Sequence, residues 1–279
     1  MNITIIGLGL IGGSISLALK KNGISLKITG VDNNPDHCKQ ALKLALADEI
    51  LELEPAIKQA DLVIIAIPVD ETSALLPRVL DIIENQVVMD VGSAKSEICK
   101  VVFEHTKRSR FVASHPMWGT EFSGPGAAKA DAFTGKAAVI CNQFESDTDA
   151  IETVEKLYKL LGMHVVFMLA KEHDLHTAYI SHVSHITSFA LANTVLEKEK
   201  EDDTIFELAS GGFETTVRLA KSHAAMWVPI FKQNKENVLD VLNEHIAQLN
   251  KFKSCLEEEN YEQLNELITH ANTIKRILK

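Results

Sequence analysis

From Met1 to about Leu169, short apolar runs alternate with longer stretches of helical period. Residues 3–6, 27–31, 61–67, 86–90, 111–114, 137–140 and 164–168 read as strands. Between them, 10–21, 35–47 and 146–161 are long enough for crossover helices and carry polar faces. This rhythm predicts a parallel sheet covered by helices, joined mostly by right-handed βαβ connections. After Lys171 the strand signal disappears, and 172–199, 206–222, 228–255 and 261–278 all read as helices, punctuated by Gly211-Gly212 and by residues 257–260. The expected division falls near Ala170, giving an α/β domain over 1–169 and an all-helical domain over 170–279.

Composition narrows the function. Hydrophobic residues make up 46% of the chain, enough for a sizeable core. The 28 Lys and Arg against 38 Asp and Glu leave a net charge of −10, so nucleic acid and anionic membrane are not expected partners. Any small anion must be held by locally placed donors. No apolar stretch reaches the ~18 residues of a membrane span, and Met1 runs into an apolar strand without a basic segment, so neither export nor anchoring is expected. Cys38, Cys99, Cys141 and Cys255 are scattered without Cys-x-x-Cys spacing. A reducing, cytoplasmic setting is expected.

The first strand runs directly into Gly7-Leu8-Gly9-Leu10-Ile11-Gly12. In that context the three glycines supply a tight turn, room for a pyrophosphate against bare backbone, and close packing of helix on strand. Asp32 ends the second strand, 20 residues after Gly12, where a carboxylate accepts hydrogen bonds from ribose hydroxyls and repels a 2′-phosphate. NAD is the expected cofactor. Pro68 and Ser93 follow the third and fourth predicted strands, at the carboxyl ends where ligands lie in open α/β sheets, and Lys95 is placed with Ser93 to meet nicotinamide or substrate. Ser93 also reads as the N-cap of a helix starting at Ala94. His115 follows the fifth strand and can take a proton near neutral pH. His173, His176, His182 and His185 suggest a metal, but on a wheel of about 100° per residue the two His-x-x-His pairs face different ways. No metal is expected. Arg218 can grip a carboxylate bidentately, and Trp227 reads equally as core or interface.

Together these residues resemble the prephenate/arogenate dehydrogenase family of tyrosine biosynthesis. The resemblance spans the Gly7–Gly12 loop, Asp32, Gly92-Ser93 before a Lys, His115-Pro116-Met117 to Gly124, Phe133 with Gly135-Lys136, Glu172-His173-Asp174, Ser181-His182 with His185, and Gly211-Gly212-Phe213 with Arg218. It implies a Rossmann-like domain followed by a helical dimerisation domain, an active site between them, and a homodimer. It also implies oxidative decarboxylation of a cyclohexadienol. His115 would polarise the ring hydroxyl, with Ser93 orienting His115 or that hydroxyl, and Arg218 would hold a substrate carboxylate. His182 and His185 would line the side-chain end of the pocket. Glu121 would gate the cleft, and Trp227 would reach in from the partner subunit. The chain departs from the family pattern at Trp118, at Phe122 and at Glu214-Thr215. An inward-pointing Glu214 would favour the ammonium of arogenate, whereas His185 favours the carbonyl of prephenate. With such a helical domain filling the second half, no appended regulatory or mutase domain is expected. Competing readings are a β-hydroxyacid dehydrogenase, an imine or pyrroline reductase, and a non-catalytic NAD sensor.

Overall fold

The computed structural model describes residues 1–23, 27–200 and 203–277. Eight strands form one sheet: β1 (Asn2–Ile6), β2 (Lys27–Val31), β3 (Glu49–Ile50), β4 (Leu62–Ile65), β5 (Val87–Asp90), β6 (Phe111–Pro116), β7 (Ala137–Cys141) and β8 (His164–Met168). Their spatial order is β3-β2-β1-β4-β5-β6-β7-β8. Seven lie where apolar periodicity placed them. The two residues of β3 are too few to display a period.

The expectation of a parallel sheet needs one correction. Every neighbouring pair is parallel except β6 and β7, which run antiparallel with His115 opposite Val139. A parallel return requires a crossover, usually a helix. Residues 117–136 contain only the 3-10 turn Pro125–Ala127, so the chain re-enters the sheet from the edge it has just left. That leaves a long loop standing at the carboxyl ends of the central strands. It is moored where the Lys129 N–H donates to Ser14 Oγ at 2.9 Å.

Six helices cover the sheet: α1 (Leu10–Lys21), α2 (Pro35–Lys43), α3 (Leu53–Lys58), α4 (Val69–Ile82), α5 (Ser96–Val101) and α6 (Thr148–Leu160). One apolar cluster gathers Ile3, Ile5, Leu19, Ile28, Ile64, Met89 and Tyr158; the other gathers Ile6, Val63, Ile65, Leu76, Leu80, Val88 and Phe111. Ile64 belongs to one face and its neighbours Val63 and Ile65 to the other. Central strands buried on both sides therefore read as unbroken apolar runs.

The second half comprises α7 (Ala170–Thr177), a π-helical turn (Ala178–His182), α8 (Val183–Glu199), α9 (Gly211–Val217), α10 (Ala224–Gln233), α11 (Lys235–Glu257) and α12 (Tyr261–Ala271). The helix expected over 228–255 is broken at Asn234, which is drawn inward: its Nδ2 donates to the Asp174 carbonyl at 2.6 Å and meets His182 Nδ1 at 3.2 Å. Immediately before it, Gln233 Nε2 donates to the Val69 carbonyl and to Ser73 Oγ, docking α10 on α4. Trp227 and Ile230 of α10 complete the second apolar cluster. Among the described residues, no helix is long and apolar enough to cross a membrane.

Candidate active site

The loop from β1 to α1 shows why its glycines stand where they do. Gly7 has φ +94°, and a Cβ there would overlap the Ala66 carbonyl; a Cβ on Gly12 would overlap the carbonyl of Gly7 itself. Both positions are closed to any side chain. Gly9, by contrast, faces open space and caps α1 without a side-chain hydrogen bond. The first turn of α1, with Leu10 and Ile11, carries no acid. Its backbone N–H groups and dipole are thus available to an anion. Asp32 ends β2, where its Oδ2 accepts from Leu8 N and its Oδ1 from Asn34 N, each at 2.9 Å. His37 Nδ1 lies 3.5 Å from the same carboxylate. Pro68 stands exposed at the head of α4, beyond the end of β4. An open glycine, an uncapped helix and a carboxylate at the next strand end fit a dinucleotide.

Ser93 follows β5 and makes no hydrogen bond among the described residues. It is not a helix cap, because α5 begins at Ser96, and the cap comes from the other half of the chain. Asp174 Oδ1 accepts from Lys95 N and Oδ2 from Ser96 N, each at 2.8 Å. Lys95 does not face a ligand either. It is fully buried, with Nζ donating to Asp90 Oδ2 and, at 2.9 Å, to the Ser114 carbonyl. Asp90 Oδ1 accepts from Ser114 N, and Ser114 Oγ lies 2.7 Å from Tyr158 Oη. A buried charge survives only if paired and hydrogen-bonded, and this network meets that condition directly beneath β6.

His115 is the penultimate residue of β6. Its Nδ1 lies 2.9 Å from His173 Nε2 on α7, and His173 Nδ1 lies 2.9 Å from Asp174 Oδ1. Burial, followed by His173, Lys95 and His182, holds His115 well below the usual histidine range. It is neutral at pH 7. The residues alone present His173 only as a candidate metal ligand and do not mark Asp174. A chemical signal existed in the adjacent His-Asp pair, but nothing in its spacing tied it to a strand 58 residues earlier.

His182 ends the π-helical turn, and His185 follows three residues later on α8. One extra residue in that turn slips the phase of everything after it, so a wheel drawn for a straight helix misplaces both relative to His173. His182 is buried and pushed down to about 4, chiefly by desolvation. His185 Nδ1–H donates to the Ser181 carbonyl, 3.0 Å away, and Trp227 stacks on its ring at 3.5 Å between centroids. Trp227 meets His182 edge-on at 5.9 Å. The structure thus seats Trp227 against histidines of its own chain. Its Nε1 is buried with no partner among the described residues.

Arg218 and Glu121 face one another, Nη1 to Oε2 at 2.9 Å, tying the 117–136 loop to the helical half. Glu121 also lines a cavity of about 590 Å³ with Lys129, Lys221 and His223. A larger hollow of about 860 Å³, beside Cys99, Phe103 and Phe144, contains none of the expected site residues. Glu214 does not point inward: its side chain is 74% exposed, 3.9 Å from Lys221 Nζ. The charge argument for an ammonium-bearing substrate loses its premise.

Comparison with known proteins bears on this geometry. One family model, described as prephenate dehydrogenase, nucleotide-binding domain, matches residues 15–167. A second, prephenate dehydrogenase, dimerization domain, matches residues 169–270. The chain is 35% identical to prephenate dehydrogenase of Bacillus subtilis strain 168, over 94% of this chain and 72% of that protein. It is 28% identical to cyclohexadienyl dehydrogenase of Zymomonas mobilis, over 100% of this chain and 96% of that one. Among solved structures, prephenate dehydrogenase from A. aeolicus in complex with hydroxyphenyl propionate and NAD+ superposes with a TM-score of 0.91. The two are 28% identical, and the match covers 100% of this chain and 98% of that one.

Proposed function

Because this chain belongs to the prephenate dehydrogenase family, we propose that it catalyses the NAD-dependent oxidative decarboxylation of prephenate to 4-hydroxyphenylpyruvate. One observation carries the reading. A neutral histidine, His115, has its Nδ1 engaged and its Nε2 without a partner among the described residues, in the last residues of β6 at the carboxyl end of the sheet that carries the dinucleotide loop. When bound, NAD supplies a two-electron acceptor for the ring C–H.

As that C–H bond breaks, positive charge builds on the ring hydroxyl, and His115 Nε2 accepts its hydrogen bond. The electron pair of the ring carboxylate bond moves into the ring, carbon dioxide leaves, and the phenol retains its O–H. No net proton is carried away, so a polarising acceptor suffices. Ser93, unpaired beside the loop, is placed for the hydroxyl or the nicotinamide rather than for His115. Gly7, Gly9, Leu10, Ile11, Gly12, Asp32 and Pro68 form the cofactor side. Arg218 holds a substrate carboxylate, and Glu121, its present partner, must yield for substrate to enter. His182, His185 and Trp227 form the far wall, where the Trp227 Nε1–H is a ready donor for the pyruvyl group.

Arg218→Ala is expected to raise KM for prephenate at least tenfold, consistent with ~1.5–3 kcal/mol for a hydrogen bond to a charged group. Turnover at saturation should change by only a few-fold. Steady-state kinetics checks this, and an unchanged KM would remove Arg218 from the substrate site.

The helical half exposes Leu208, Leu239, Ile246, Leu249 and Ile268. Such apolar surface supports a homodimer formed through it. The four free cysteines support a reducing, cytoplasmic setting.

NADH formation by the purified protein, with prephenate or arogenate and with NAD or NADP, tests the proposal. Turnover is expected with prephenate and NAD, and poorly with NADP because Asp32 repels the added phosphate. Preference for arogenate, or silence with prephenate, would overturn it.

A further inference from the structure

We propose that His173 and Asp174 are positioning residues which fix the tautomer of His115, presenting a bare Nε2 to the substrate hydroxyl. The inference rests on the reading of this cleft as a dehydrogenase site.

Asp174 accepts backbone N–H groups on both oxygens, from Lys95 and Ser96. Hydrogen bonds of this kind favour the ionised form, and its carboxyl lies below the ordinary range, with His173 and Ser96 opposing the cost of burial. An ionised carboxylate has no proton to give. The contact between Asp174 Oδ1 and His173 Nδ1 at 2.9 Å therefore places the proton on His173 Nδ1. In a neutral imidazole the other nitrogen is then an acceptor. His173 is held neutral by burial, which outweighs the nearby carboxylates of Asp174 and Asp90, and Lys95 pushes the same way.

With His173 Nε2 bare, the 2.9 Å contact to His115 Nδ1 requires His115 to donate. The ring centroids are 5.1 Å apart with planes at 72°, an edge-on approach. The single remaining nitrogen of His115, Nε2, is then an acceptor. The opposite tautomer would present N–H to a hydroxyl that must be polarised by an acceptor. As the hydroxyl proton moves toward Nε2, the charge it brings is shared through Nδ1–H with His173 and neutralised by the Asp174 carboxylate. When the phenol forms, the proton stays with its oxygen and the chain is unchanged.

Two features strengthen the assignment. Ser93 makes no hydrogen bond to His115, so the ring takes its bearing from α7 rather than from the loop after β5. Asp174 is itself immobilised, because the oxygens that set the tautomer also cap α5.

The test uses the full-length protein and two substitutions. His173→Phe keeps a ring of similar size without nitrogens, and His173→Gln keeps an acceptor. Nitrogen-15 NMR of histidine-labelled, ligand-free protein should show His115 protonated at Nδ1 and bare at Nε2 in the parent. In His173→Phe it should show a mixture of tautomers. His173→Phe should lower kcat about 10²-fold, as loss of an orienting partner does at comparable sites. KM for prephenate and NAD should stay within twofold, and His173→Gln should recover much of the loss. Parent protein with His115 protonated at Nε2, or His173→Phe with parental tautomer and kcat, would overturn the proposal. Absence of prephenate turnover in the parent would instead overturn the functional reading, since the tautomer is measured without substrate.

Discussion

His115→Ala should lower kcat about 10³-fold, within the 10²–10⁴ range that a positioned acid or base contributes, while NAD binding stays at the parental level. The dinucleotide loop and Asp32 belong to other strands and share no hydrogen bond with His115, so removing the ring leaves the cofactor side intact. Stopped-flow and steady-state kinetics beside NAD titration separate the two effects, and near-parental turnover would end the assignment. Acidity acts in the same direction as the mutation. His115 is faced by His173, Lys95 and His182, and burial is the largest cause of its depression. Protonating it converts Nε2 from acceptor to donor. The rate should hold as pH falls through the ordinary histidine range near ~6.5 and drop only below it. Stability follows a related course. His115, His173, His182 and His185 all lie below the ordinary value. The unfolded chain therefore binds more protons in acid, and stability that is full above about pH 6.5 declines as pH falls below it.

Lys95→Met should destabilise the protein by about 3–5 kcal/mol, the usual consequence of removing one partner from a buried ion pair. Asp90, at zero exposure, would lose its cationic partner and keep only the N–H groups of Gly92 and Ser114 as donors. Pairing the change with Asp90→Asn removes the stranded charge, and the double variant should recover most of the loss. Denaturant unfolding of the four proteins gives the coupling energy directly. If the single and double variants were equally unstable, the network would matter for shape rather than charge.

The glycine loop and the acid at the end of β2 were legible because they are local: Gly7, Gly9 and Gly12 lie within six residues, and Asp32 sits one crossover away. Seven strands were legible for a similar reason, since each carries its own apolar run. What escaped depends on contacts between distant segments. Lys95 read as a ligand because it follows Ser93, yet a buried carboxylate five residues earlier turns it inward. The partnership of His115 with His173 and Asp174 links β6 to α7, and no spacing rule reaches that far. The π-helical turn misled the helical wheel by a different route, because a single extra residue per turn leaves no mark on apolar periodicity. Likewise, the antiparallel β7 follows from the missing helix in 117–136, a gap visible in the sequence whose topological consequence was not.

Asp174 binds the two halves of the molecule as a staple: both of its oxygens grip the start of α5, while its own helix belongs to the second half. Swinging the halves apart would strip two charge-assisted hydrogen bonds and leave a helix end bare. The seam is thus costly to open as a hinge. The loop between β6 and β7 is tied to the far side by a partly exposed ion pair between Glu121 and Arg218. The loop is therefore expected to open at lower cost than the seam, making the protein less a jaw than a box with a latched flap.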